Sequence, residues 1–227
     1  MENTEIRCLN QLEASHVQQT AALLVDSFYS MFKGITKERE LLQRLFTPCM
    51  QLDLIYVLLK EDRVAGLIAV SDSRRRAIVM NEETCVSVFG PVKGKILAWQ
   101  LGKMLSIPAV KGDRSGYVDF IATSPEYRRK GVGGQLLTFA EAGLDFDELY
   151  LDVLKDNLPA VSLYEKMGYR TESLKKSILM RLAGIKAMYI MKKKLRRWRN
   201  ISRLSVESGV CSILLHADVT QKAVRVC

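Results

Sequence analysis

"EYRRKGVGGQLLTF", residues 126–139, sets three cationic side chains ahead of three glycines and then turns into an apolar pattern of helical period. Val132, Leu136, Ala140 and Leu144 form the stripe of an amphipathic helix. The apolar run "YVDFIAT" before the motif reads as a strand ending at Thr123. Glycines at such a strand–helix junction let backbone N–H groups approach a ligand, and the first helical turn offers unpaired donors at the positive end of the dipole. That combination suits a pyrophosphate, with Arg128, Arg129 and Lys130 adding charge. The same residues also fit a solvated basic turn capping an ordinary helix.

Two nucleotide templates fail on spacing. Counting from Gly131 and Gly133, the third glycine of a dinucleotide fingerprint would fall on Leu136. The nearest approach to a Walker loop, "GPVKGKI" at 90–96, is one residue short and ends in Ile where Ser or Thr is required.

The run "YVDFIATSPEYRRKGVGGQLL" resembles motif A of the GNAT N-acetyltransferase superfamily, whose Arg/Gln-x-x-Gly-x-Gly/Ala core is matched by Arg128, Gly131 and Gly133. The next block, "LYLDVLKDNLPAVSLYEKMGYR", is similar to that family's following strand and helix, with Asn157, Ala160, Leu163, Tyr164 and Gly168 in order. The resemblance spans residues 4–195 and is strongest over 116–170. It implies acetyl-CoA as co-substrate, with no metal. Ile121, Ala122 and Thr123 would lie along the pantetheine arm, and the amides and side chains of residues 129–134 (Arg129, Lys130, Gly131, Val132, Gly133 and Gly134) would seat the pyrophosphate beside Arg128. Asn157 would contact the pantetheine or its neighbouring backbone, a role compatible with capping the helix that Pro159 begins.

Strands alternating with helices predict an α/β (α+β layer type) fold. The resemblance sharpens this to a GNAT-like, mixed and mostly antiparallel central sheet with a splayed strand pair, flanked by helices. From the residues, a strand is expected at 4–9, one helix from Glu13 to Phe32 and a short helix at 36–46. A hairpin follows from "LDLIYVLLK" and "VAGLIAVSDS" around the turn "EDR", extended by "RAIVMN". Residues 82–106 read as a breaker-rich loop leading into an amphipathic helix. A strand "ELYLDVL", a helix over 159–167 and strands near "YRTESL" and "AMYIMKKKL" complete the chain. The expected division is a domain at 1–195 and a C-terminal basic extension at 196–227, which packs on that domain or stays mobile.

The formal charge of +9 suggests nucleic acid only until it is divided along the chain. Residues 192–199, "KKKLRRWR", carry +6 and the remainder after them +1, leaving +2 for residues 1–191. A nucleic-acid partner would therefore rest on one short run with Trp198 as a stacking platform, and the rest of the chain argues against it. Five cysteines in an odd, scattered set without Cys-x-x-Cys read as reduced thiols. No basic-then-apolar leader opens the sequence, and no apolar run approaches the roughly 18 residues of a membrane helix, so a cytoplasmic monomer or homodimer is expected.

Acyl transfer to an amine needs a neutral nucleophile, a polarised carbonyl and a proton for the leaving thiolate. A lysine amine is neutral in about one molecule in 2,500 at pH 7 and an α-amine in about one in seven, so the need for a base depends on the acceptor. Tyr164 fits the acid, since a phenol stays protonated at neutral pH, and it matches the position of the acid in the family; the alternative is a tyrosine packed on the sheet. For the base, Tyr117, Asp119 and Asp152 are the candidates. Period-two alternation puts Tyr117 and Asp119 on one side of their strand, and Asp152 interrupts an apolar run where an ionised carboxylate is costly unless paired or used. Salt bridging or core hydrogen bonding would also account for these three. The resemblance gives the carbonyl oxygen a backbone N–H near Ile121 or Ala122. A small-molecule or peptide amine is the expected acceptor, and a non-catalytic acyl-CoA-binding or sensory domain is the alternative function.

Overall fold

The computed structural model describes residues 4–105, 110, 112–176 and 186–195, with the side chains of 103–105 excepted. The basic run beyond Leu195 and the extension at 196–227 lie outside the described residues. The described chain forms one seven-stranded sheet: β1 (Thr4–Cys8), β2 (Ile55–Lys60), β3 (Arg63–Ser71), β4 (Ser115–Thr123), β5 (Glu148–Leu154), β6 (Arg170–Lys175) and β7 (Met188–Lys194). Its order is β1-β2-β3-β4-β5-β7-β6, and every pair is antiparallel except β4–β5.

The two faces of the sheet are read directly from residue parity. Along β2, Ile55, Val57 and Leu59 enter one buried layer and Tyr56 and Leu58 the other. With apolar side chains on both faces, the central strands must be covered twice. One cover comprises α1 (Ala14–Ser27), α2 (Tyr29–Phe32), α3 (Arg39–Phe46), α4 (Glu82–Phe89) and α5 (Pro91–Leu105). The other is α6 (Val132–Gly143) and α7 (Leu158–Lys166).

Two helix boundaries differ from the sequence reading. The helix expected from Glu13 to Phe32 breaks at Phe28 (φ −112°, ψ 17°), whose ring packs edge-on against Phe120 with centroids 5.0 Å apart. The loop expected after residue 82 is α4, capped by the Asn81 side chain on the Thr84 amide at 2.7 Å. Gly90 (φ 79°) ends α4 and Pro91 starts α5, so the breakers join two helices. A Cβ on Gly94 would lie 2.5 Å from the Val86 Cα, which is why the two helices can cross so closely. "RAIVMN" contributes a single bridge, Met50 with Ile78, in place of a longer strand.

Candidate active site

β4 and β5 begin side by side and then part. Their register runs from Ser115 opposite Glu148 to Val118 opposite Leu151 and stops there. On its other edge β4 stays paired with β3 as far as Thr123 opposite Gly66. Residues Asp119–Thr123 therefore present an edge to a widening gap, in a strand otherwise at the centre of the sheet.

At the wide end of the gap, the chain turns into α6. Residues Pro125–Tyr127 form one 3-10 turn, Arg128 is extended, and Arg129 (φ 63°) and Gly131 (φ 78°) are left-handed. Gly131 is the N-cap of α6, and no side chain caps the helix, so its first-turn donors are left to a ligand or solvent. The turn is anchored by the Ser124 amide donating to the Ala65 carbonyl at 3.0 Å, Ala65 being the extra residue where the β2–β3 register slips. Tyr127 lies between two ammonium groups, Lys130 at 5.5 Å and Lys60 at 5.8 Å from its ring centroid.

The glycines differ in what they do. A Cβ on Gly66 would meet Val132 Cγ1 at 2.5 Å and the Ala122 carbonyl at 2.9 Å, so its absence lets the start of α6 rest on β3. Gly133 packs against Leu163: a Cβ there would meet Leu163 Cδ2 at 3.3 Å, a tight contact that the glycine avoids. Gly134 has nothing within 4 Å of its Cβ position, and Gly131, Arg128, Arg129 and Lys130 are exposed.

The side chains around the gap divide between the two faces. Tyr164, on α7, is buried (6% exposed) in the layer shared with α6, and desolvation pushes its hydroxyl up to about 12. Asn157 caps α7 by accepting from the Ala160 amide at 3.4 Å. Tyr150 and Asp152 alternate with Leu149, Leu151 and Val153, which belong to the α6–α7 layer, so Asp152 projects from the opposite face.

Strict alternation does not hold along β4. Ala69 faces Phe120 and Val70 faces Val118, leaving Asp119 as a bulge. Val118 and Ile121 consequently share the α6–α7 layer, while Phe120 and Ala122 enter the other. Asp119 accepts hydrogen bonds from the Ser71 hydroxyl and from Arg76 at 2.5 Å. The side chains of Arg76 and Asp119 are only 18% and 3% exposed, so this is a buried ion pair. The Tyr117 hydroxyl hydrogen-bonds the Asp152 carboxylate, and the Arg76 guanidinium lies 5.7 Å from the Tyr117 ring centroid. Lys175 stands 3.9 Å from Asp152 at the solvent side.

Burial sets the protonation of this cluster. It raises Asp152 above the usual carboxylate range, against the lowering effects of Lys175, Tyr117 and Arg76. Asp119 is raised for the same reason, with Arg76, Ser71 and the Ala77 amide opposing. Desolvation and the adjoining Asp152 drive Tyr117 well above its ordinary value, so at neutral pH it is a hydrogen-bond donor and never a tyrosinate.

The structure thus gathers Tyr117, Asp119 and Asp152 on one side of the gap and Tyr164 on the other, with Ile121, Ala122 and Thr123 on the edge between. Arg76 and Ser71 had no sequence signal of their own. Each of the three consecutive arginines at 74–76 has its own acid: Arg74 with Asp113 at 3.6 Å, Arg75 with Asp53 at 2.6 Å and Arg76 with Asp119. Three arginines directly after a buried strand were the available clue. Cys8, Cys49 and Cys85 are buried free thiols away from these residues in sequence; Cys211 and Cys227 lie outside the described residues. Among the described residues, no helix is long and apolar enough to cross a membrane.

Comparison with known proteins converges on one family. The model of the acetyltransferase (GNAT) family matches residues 21–169. An N-alpha-acetyltransferase of Saccharolobus solfataricus is 32% identical over 116 residues, covering 49% of this chain and 60% of the relative. One from Sulfurisphaera tokodaii is 32% identical over 90 residues, covering 37% and 53%. The chain thus spans about half the length of the curated relatives it matches. Among solved structures, an N-acetyltransferase from Staphylococcus aureus shares the fold at 18% identity and TM-score 0.56, over 83% of this chain and 99% of that one. The NatC complex bound to Gag peptide and CoA is similar at 13% identity and TM-score 0.50, over 86% and 99%. With the family model covering most of the chain, this protein belongs to the GNAT acetyltransferase family.

Proposed function

We propose that the chain is an acetyl-CoA-dependent N-acetyltransferase that acts on the α-amine of a peptide or protein by direct attack in a ternary complex. The observation that carries this reading is the gap between β4 and β5, which has a proton donor, Tyr164, on one face and a hydrogen-bonded carboxylate, Asp152, on the other. Family membership supports the donor. The names of the relatives favour an α-amine, which is also the acceptor for which a modest base suffices.

The residues present fit acetyl-CoA. The uncapped first turn of α6, the exposed Arg128, Arg129 and Lys130 and the open space at Gly134 suit a pyrophosphate, while the free edge at Ile121, Ala122 and Thr123 suits an amide-containing arm. Bound there, acetyl-CoA supplies the thioester acyl group: the N–C bond to the acceptor forms as the C–S bond breaks. A backbone N–H at Ile121 or Ala122 holds the carbonyl oxygen as charge develops on it. Asp152 takes the proton that the amine loses, relayed through the Tyr117 hydroxyl, and its upward shift by burial brings it nearer the working pH of a general base. Tyr164 gives its proton to the departing sulfur and regains one from solvent. Asp119, with its oxygens engaged by Ser71 and Arg76, is a positioning group in this scheme.

The test is CoA release by the full chain with acetyl-CoA and three acceptor sets: peptides with a free α-amine, N-terminally blocked peptides with lysine, and small primary amines. Preferential turnover of the first set is expected. Turnover of the blocked peptides alone would overturn the α-amine assignment, and silence across all sets despite CoA binding would favour a non-catalytic acyl-CoA-binding or sensory domain.

A further inference from the structure

The acceptor face of the gap carries a second carboxylate that the chemistry does not use. Asp119 sits at the one residue by which β4 slips against β3, and a bulge there needs something to hold it, because it breaks the regular ladder. Two groups from the end of β3 and the segment after it do so, the Ser71 hydroxyl and the Arg76 guanidinium, both donating to the Asp119 carboxylate. The Ser71 hydroxyl oxygen in turn accepts from the Ala77 amide at 2.8 Å. Residues 71–77 are thereby clipped to β4 where it leaves β5.

The bulge decides which way the next residues face. Phe120 and Ala122 lie in one layer and Ile121 in the other only because the alternation slips at Asp119. A strand without the slip would exchange these faces along the edge of the gap.

Charge is the second consequence. The groups facing Asp152 are Tyr117 and Asp119 from β4, Arg76 from the segment after β3 and the half-exposed Lys175 from β6. Asp119 is the only other acid among these, and Arg76 lies against it. Were Asp119 ionised without Arg76, two buried carboxylates would compete for one site and one would hold its proton.

We propose that the Arg76–Asp119 pair is a positioning device for the amine-facing groups: it fixes the bulge of β4 and balances the charge against which Asp152 exchanges the acceptor's proton. This rests on the assignment of Asp152 made above, but it can be read without turnover. In the full chain labelled at aspartate carboxyl carbons, Asp152 is identified by its loss in Asp152→Asn and its titration midpoint is followed by NMR with no acceptor present.

Asp119→Asn removes the like charge and leaves Arg76, so the Asp152 midpoint falls by about one pH unit. The charge-balanced double variant Arg76→Gln/Asp119→Asn brings it back to within about 0.3 units of wild type. Arg76→Lys keeps the charge but loses the planar fork; it leaves the midpoint in place while kcat falls several-fold with KM little changed. An unmoved or raised midpoint in Asp119→Asn, or a double variant no closer to wild type than the single, overturns the proposal. Should Asp119→Asn fail to fold, a midpoint shift of a full unit in Arg76→Lys overturns it equally. If the chain proves to be no N-acetyltransferase, the acceptor panel reports that separately, and the titrations stand or fall alone.

Discussion

Arg76 and Asp119 form an ion pair 2.5 Å long whose two side chains are 18% and 3% exposed, joining the segment that leaves β3 to the bulge in β4. Truncating one partner of a buried pair strands the other. Asp119→Ala is therefore expected to destabilise the fold by about 3 kcal/mol in urea titration; a loss under about 0.5 kcal/mol would show that the pair behaves like a surface one.

Asp152 separates stability from activity. Its folded pKa is raised, so the folded state binds that proton more tightly than the unfolded chain, and its effect on stability worsens as pH rises through the folded value. Asp152→Asn is expected to be more stable than wild type at neutral pH, with the gain fading as pH falls toward the ordinary carboxylate range. The same change lowers kcat by about a hundredfold if Asp152 is the base. Parallel denaturation and rate measurements at several pH values check both signs.

Gly134 offers the cleanest test of the phosphate seat. With nothing within 4 Å of its Cβ position, Gly134→Ala meets no obstacle in the protein and gains helix propensity, about 0.5 kcal/mol in the first turn. Stability should hold or rise while affinity for CoA falls at least about tenfold, if the pyrophosphate lies against that glycine. Calorimetric titration with CoA reads this; unchanged affinity would move the ligand away from α6. Gly66→Ala is the contrasting case: it drives α6 off β3 and costs stability and CoA binding together.

The β2–β3 turn is strained, with Glu61 at φ 48° and Asp62 at φ 61°, both left-handed. His16, buried on α1, hydrogen-bonds the Asp62 carbonyl and carboxylate at 3.2 Å each and so holds the turn. Asn tolerates that conformation better than Glu, and Glu61→Asn is expected to stabilise the fold by about 0.5 kcal/mol in thermal melts. A lower melting temperature would mean that Glu61 makes a compensating contact.

Local signals carried much of this fold. The glycine turn, the helical stripe from Val132 and the Asn157–Tyr164 block each depend on neighbours within a few residues, so period and turn chemistry locate α6, β5 and α7. Gly90 and Pro91 do not reveal the α4–α5 junction, because a breaker pair looks the same inside a loop and between two abutting helices. The kink at Phe28 follows from a contact with Phe120, 92 residues away. The bulge at Asp119 was invisible for a similar reason: alternation is local, but the slip arises from pairing with β3 and from Arg76 and Ser71, more than forty residues upstream. Long-range register and ion-pair choice set the Asp119–Asp152 side of the gap, whereas the α6 side is written in contiguous sequence.

The role of Tyr164 as the acid is tested most directly by comparing wild type with Tyr164→Phe for thiol release from acetyl-CoA with an α-amine peptide, alongside CoA affinity. The variant is expected to bind CoA within about threefold of wild type while kcat falls by about a hundredfold. Equal turnover in the two proteins would contradict the assignment of Tyr164 as the acid and, with it, the division of acid and base between the two faces of the gap.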